Sequence, residues 1–100
     1  MIVYEVNLDI AADAFAAYRE WLDAHVREML ALPGFVSAEI FECREPAPAA
    51  GRRHLVVTYR LTDAPALERY LREDAPRLRA DGIARFGGKF NATRRVLAAV

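Results

Sequence analysis

The sequence predicts an α+β protein, a ferredoxin-like βαββαβ sandwich in which one antiparallel four-stranded sheet carries its helices on one face. Three observations lead there. Four segments alternate apolar and polar residues with the period of a strand, and two stretches repeat apolar residues with the period of a helix. Their order along the chain is strand, helix, strand, strand, helix, strand. One hundred residues suit a single domain over 1–100, which buries roughly two thirds of its unfolded surface around one core.

From Ile2 to Asp9, Ile2, Tyr4, Val6 and Leu8 alternate with Val3, Glu5, Asn7 and Asp9, giving a strand with one strongly apolar face. The stretch from Ala12 to Phe35 holds the longest helical period. At about 100° per residue, Phe15, Tyr18, Leu22, His25, Val26 and Met29 share one arc, with Trp21 and Leu30 at its flanks. Asp9 or Asp13 is the expected cap, and Leu32-Pro33-Gly34 the stop. A second strand over Phe35–Arg44 sets Val36, Ala38 and Ile40 against Ser37, Glu39 and Phe41. Two prolines make Glu45–Gly51 a loop, and Arg53–Leu61 is the third strand, with Leu55, Val57, Tyr59 and Leu61 on its apolar side.

Thr62-Asp63-Ala64-Pro65 opens the second helical region, and Leu67, Tyr70 and Leu71 form its stripe. Asp74-Ala75-Pro76 repeats the start signal, so a break falls at Pro76 and a further helix runs to about Phe86. Gly87-Gly88 ends it, and Lys89–Val100 reads as the last strand. With helices on one side of the sheet, Val3, Glu5, Asn7, Phe41, Val56 and Thr58 occupy the other. That face is too apolar for free water, and pairing two such sheets in a two-fold homodimer is its natural cover.

The totals exclude several classes. Fourteen basic and fourteen acidic side chains cancel, so no long-range field draws the chain to nucleic acid or an anionic membrane. One cysteine, Cys43, excludes an internal disulfide and thiolate-cluster metal sites, and suits a reducing cytoplasm. No run approaches the roughly 20 apolar residues of a membrane span, and MIVYEVNLDI alternates where a signal peptide would be continuously apolar. A cytoplasmic protein is expected. The third strand lacks the spaced aromatics of an RNA-recognition module, and a copper chaperone's Cys-x-x-Cys is missing. An amino-acid-sensing regulatory domain has the same topology and requires no catalytic residue.

As a set, MIVYEV, Trp21 and His25, Gly34-Phe35, Tyr59, YLREDAPRLRADGIARFGGKF and Arg94-Arg95 resemble a bacterial family of small proteins classed as a domain of unknown function, within the dimeric α+β barrel group. The resemblance covers nearly the whole chain. It implies a ferredoxin-like protomer, a homodimer whose sheets close a barrel, and a cavity between sheet and helices, with no assigned reaction. Relatives in the wider group include cofactor-free monooxygenases of aromatic polyketides, muconolactone isomerases and haem-degrading monooxygenases. The haem enzymes combine a strand asparagine, a tryptophan and an iron-ligating histidine. Asn7 matches the first, but Tyr70 stands near the tryptophan position and Arg79 or Ala80 near the histidine, so the ligand is missing.

His25 is the candidate catalytic residue, because imidazole takes and gives a proton near neutral pH. The competing reading is a partly buried core histidine bonded to a backbone carbonyl or to a neighbouring hydroxyl. Tyr4, Trp21, Tyr59, Tyr70 and Phe86 are the candidate substrate contacts, a mixture of apolar wall and few hydroxyls that suits a small aromatic or hydrophobic ligand. Arg94 and Arg95 occupy adjacent strand positions and face opposite ways, so whichever faces the helices can anchor a carboxylate or enolate oxygen; the competing reading is a salt bridge, for which Glu5 on a neighbouring strand would serve. His25 and Glu28 are two ligands at i, i+3, too few for a metal, and the glycines form no phosphate loop. No metal and no cofactor is expected. The function read from these residues is small-molecule binding by a homodimer, with monooxygenase- or isomerase-like proton transfer at His25. The alternative is a non-catalytic structural, regulatory or interaction module, in which Trp21, Met29, Tyr59 and Phe86 fill the core.

Overall fold

A computed structural model describes residues 1–100. The elements are β1 (Ile2–Ala11), α1 (Phe15–Leu30), β2 (Phe35–Glu42), β3 (Arg52–Leu61), α2 (Ala64–Glu73), α3 (Ala75–Phe86) and β4 (Phe90–Ala98), with short 3₁₀ turns at Ala12–Ala14 and Gly87–Lys89. All pairings are antiparallel and the strand order is β2-β3-β1-β4. This is the ferredoxin-like α+β sandwich expected, and its second helical region is divided where Asp74-Ala75-Pro76 signals a new start: α2 ends at Glu73 and α3 begins at Ala75, with Pro76 in its first turn.

Local chemistry explains the borders. The Asp63 carboxylate accepts from the Ala66 N–H at 2.9 Å and caps α2, with Pro65 in the first turn where its missing N–H costs nothing. The start of α1 differs from expectation. Neither Asp9 nor Asp13 caps it: Asp9 accepts from Arg52 Nε at 2.9 Å and Asp13 from Lys89 Nζ at 2.9 Å, while a 3₁₀ turn leads the chain in. Long-range cations thus take both carboxylates that local sequence offered to the helix. β2 ends at Glu42 rather than Arg44, and a bulge between Phe35 and Ser37 shifts its register. The extra residue turns Val36 outward, where it is 54% exposed, against the alternation expected of it.

The sheet's two faces have different fates. Tyr4, Leu8, Ile10, Leu55, Val57 and Tyr59 point toward the helices and are buried against Tyr18, Leu22 and Met29 of α1, Leu67 and Tyr70 of α2, and Leu78 of α3. Val3, Glu5, Asn7, Val56 and Thr58 lie on the opposite face, where no helix covers them. There Glu5 accepts from both Arg95 Nε and Arg95 Nη2, at 2.8 and 2.9 Å, and from Asn7 at 2.8 Å. These donors hold the Glu5 carboxyl below the usual carboxylate range. Phe41 and Leu97 remain 49% and 38% exposed on that face.

Candidate functional site

Between the inner face of the sheet and the helices lies a cavity of about 250 Å³. Its position follows from periodicity. Tyr18, Trp21, Leu22, His25 and Met29 recur every three or four residues on α1 and so form one wall, while Tyr4, Val6 and Leu8 recur every second residue on β1 and form the floor. α3 closes one side with Leu78, Arg79 and Gly82. The glycine matters here: a Cβ at Gly82 would stand 3.2 Å from Trp21 Cη2, so the bare backbone is what lets the indole lie against α3.

His25 lines both this cavity and an outer groove that runs between α1 and α3. Its ring stacks on Trp21 at 4.7 Å between centroids and 14° between planes. Trp21 in turn donates to Asp81 at 3.2 Å, which anchors the stacked pair to α3. Burial pushes the His25 pKa down; Glu28 and Asp81 oppose that and Arg94 adds to it. The imidazole is therefore neutral at pH 7, the form that accepts a proton.

The same burial sets a pH dependence. A histidine whose folded pKa lies below its unfolded value near 6.5 binds fewer protons when folded, so its contribution to stability is complete above about pH 6.5 and is lost as pH falls. Melting of wild type and His25→Gln across about pH 5.5 to 7.5 is expected to show the wild type losing more stability on acidification. Equal losses would place the titration elsewhere.

Tyr4, Tyr59 and Tyr70 meet beside Phe35 in a closed ring of aromatic contacts, with centroids 5.3 to 6.1 Å apart. All three tyrosines line the cavity, as does Tyr18. Burial pushes Tyr70 up to about 12 and raises Tyr18 and Tyr59 further, so these three are neutral hydroxyls at physiological pH. Arg94 faces the helices and lines the cavity, whereas Arg95 faces the other way into Glu5. Phe86 lies outside the cavity. It packs against Tyr18 and Trp21 and lines the outer groove.

Arg79 escaped sequence reasoning as a binding residue. Its Nη2 donates to the Tyr4 hydroxyl at 2.9 Å, and its buried Nε has no partner. An arginine on a polar-looking helix carries no mark of burial; only its position one residue from the core-facing Leu78 hinted at it. The haem-degrader pattern is not reproduced. Asn7 bonds Glu5 and His54 on the outer face, at 2.8 and 3.3 Å, and α3 offers Arg79 where an imidazole would be needed. Haem does not fit this arrangement of side chains.

Comparison with solved structures gives the same fold from several sources. A putative antibiotic biosynthesis monooxygenase from Deinococcus radiodurans is 16% identical, with a TM-score of 0.76 over 100% of this chain and 93% of its own. A variant of SnoaB, a cofactor-independent oxygenase from Streptomyces nogalater, is 17% identical, with a TM-score of 0.69 over 98% and 92%. The haem degrader MhuD from Mycobacterium tuberculosis, with two haems in its active site, is 16% identical, with a TM-score of 0.67 over 100% and 96%. Identities this low speak for the fold alone. Comparison with curated proteins by sequence finds no match. The family described as a domain of unknown function, DUF4286, matches residues 1–100, and the chain belongs to it.

Proposed function

We propose that the protein is a homodimer that binds a small aromatic or hydrophobic metabolite between sheet and helices. The observation that carries this reading is a cavity of about 250 Å³ between sheet and helices, lined mainly by apolar side chains together with Tyr4, Tyr18, Tyr59, Tyr70, His25 and Arg79. An apolar wall holding a few polar groups is the make-up of a small-molecule site. One buried polar atom among them, Arg79 Nε, has no hydrogen-bond partner, where such groups are normally satisfied. A dry cavity of roughly 150 Å³ admits a benzene ring, so the space here suits a larger molecule of one or two rings. Proton transfer is the chemistry available: neutral His25 takes a proton from the ligand, Tyr4 and Tyr59 orient it and Trp21 closes the apolar wall. Monooxygenase- or isomerase-like turnover without a cofactor is consistent with such a site, and the SnoaB oxygenase carries the same fold.

The outer face supports the dimer. Phe41, Val56, Val3 and Leu97 give it apolar area around the Glu5–Arg95 pair, and a second copy of the same face would cover them. No helix is long and apolar enough to cross a membrane, in keeping with the cytoplasmic location proposed. The non-catalytic reading is favoured by one fact, that Tyr18, Met29 and Tyr59 are each almost wholly buried as core residues would be.

Native mass spectrometry of protein purified without added ligand tests binding and assembly together. The expected result is a dimer carrying extra mass that is released on denaturation. A monomer would contradict the dimer, and a bare protein that takes up no aromatic compound would leave the filled-core reading standing. Turnover of an identified ligand is expected to be lost in His25→Ala, and its persistence would remove the catalytic role.

A further inference from the structure

We infer that the ligand is an organic acid, and that Arg79, oriented by the Tyr4 hydroxyl, receives its carboxylate. The inference rests on the binding reading above and adds the ligand's charge. Ion pairing is the rule for cations in this protein: Arg19, Arg52, Arg53, Arg69, Arg72, Arg77, Arg85, Lys89 and Arg95 all reach a carboxylate. Of the five that do not, Arg27, Arg44 and Arg60 are exposed on the surface, and Arg79 and Arg94 line the cavity. No aspartate or glutamate lines it. A neutral chain therefore brings two guanidinium groups without carboxylate partners and an imidazole to the lining of one cavity.

The Arg79 side chain is the better placed of the two. It is partly buried, so leaving it without a counter-charge costs free energy that a bound anion recovers. Its Nε is buried and unpartnered, and its Nη2 is already committed to Tyr4 at 2.9 Å. The Tyr4 oxygen accepts that bond and keeps its own proton. The Arg79 guanidinium and the Tyr4 hydroxyl, 2.9 Å apart and both lining the cavity, thus stand together as donors suited to the oxygens of a carboxylate. The aromatic ring formed by Tyr4, Tyr59, Tyr70 and Phe35 adjoins this point and leaves an apolar wall for the body of the acid. Arg94 stands on the exposed edge strand and adds positive charge at the cavity's margin.

Calorimetry with 2-naphthoate and 2-naphthamide separates charge from shape, since the two probes share a body and differ in the anion. The full-length protein is expected to bind naphthoate about tenfold or more tightly than naphthamide, the worth of a charge-assisted hydrogen bond. In Arg79→Met that preference disappears while naphthamide binding is retained, and in Tyr4→Phe it is reduced by a smaller factor. Equal binding of the two probes by the wild type overturns the inference and leaves the cavity's binding role intact. Binding of neither overturns both. A naphthoate preference that survives Arg79→Met removes the assignment to Arg79. Should Arg79→Met fail to fold, the wild-type comparison and Tyr4→Phe still decide: an unreduced preference in Tyr4→Phe counts against the paired donors.

Discussion

Gly34→Ala is expected to destabilise the fold by about 3 kcal/mol, from two sources that can be separated. Gly34 links α1 to β2 with a φ of +82°, in the left-handed region. An alanine held there costs about 1 to 2 kcal/mol from its Cβ alone. The second source is an overlap: a Cβ at Gly34 would stand 2.3 Å from the Ala66 Cβ, at the start of α2. Neither neighbour can swing away, because Ala66 is held by its own N–H to the Asp63 cap and the Gly34 carbonyl accepts from Thr62 N at 2.9 Å. Overpacking of this kind costs about 1 to 3 kcal/mol. The check is a double-mutant cycle in urea. Ala66→Gly by itself costs about 1 kcal/mol through helix propensity. Combined with Gly34→Ala it should remove the overlap and leave only the backbone strain, so the double variant is more stable than the sum of the singles. Strict additivity would show that the Gly34 turn and α2 do not meet at this point.

Tyr70→Ala should lose about 3 to 5 kcal/mol, the usual cost of emptying a large aromatic site. Tyr70 is 4% exposed and ties α2 to the sheet through edge-on contacts with Phe35 at 5.3 Å and Tyr4 at 5.7 Å. Each aromatic pair adds about 0.5 to 1.5 kcal/mol beyond burial. A domain of this length has about 5 to 15 kcal/mol in all, so the variant stands near the edge of folding. Tyr70→Phe keeps the ring and is expected to cost about 1 kcal/mol or less. Thermal melts of the pair distinguish the ring from the hydroxyl. A large loss in Tyr70→Phe would mean that the hydroxyl carries the packing, contrary to the contacts seen. Because Tyr70 also lines the cavity, Tyr70→Ala should weaken aromatic probes if they lie against that wall.

Much of this fold was legible because period and position coincide. The arc Tyr18, Leu22, His25 and Met29 reads as one helix face in the sequence and becomes one cavity wall in the structure. The alternation of Leu55, Val57, Tyr59 and Leu61 needs only the pleat of a strand to become the buried face of β3. Asp63 and Pro65 are a local start signal, and they start α2. Where the readings diverged, a distant partner intervened. Asp13 had the right type and place to cap α1, but Lys89, 76 residues away, took its carboxylate. Val36 kept the period of its strand in the sequence and lost it to a bulge.

The candidate site divides in the same way. That Arg94 and Arg95 point to opposite faces follows from sequence, since adjacent strand residues must. Which of them meets Glu5 was decided by the register of β4 on β1, where Arg95 lies opposite Glu5 and Arg94 opposite Val6. Phe86 reads as apolar and helical, but its place on the groove side was fixed only by how α3 docks against Tyr18 and Trp21. Arg79 is the clearest case. Its chemistry depends on Tyr4, 75 positions earlier, and on the absence of any carboxylate from a cavity assembled by β1, β3, β4 and all three helices. By itself the sequence determined the elements, their apolar faces and hence the sandwich, because propensity, capping and hydrophobic period act over a few residues. Only the tertiary structure decided which charges meet and which are left facing the cavity, because Coulomb and hydrogen-bond partners are chosen by distance in space, and that distance exists only once the chain has folded.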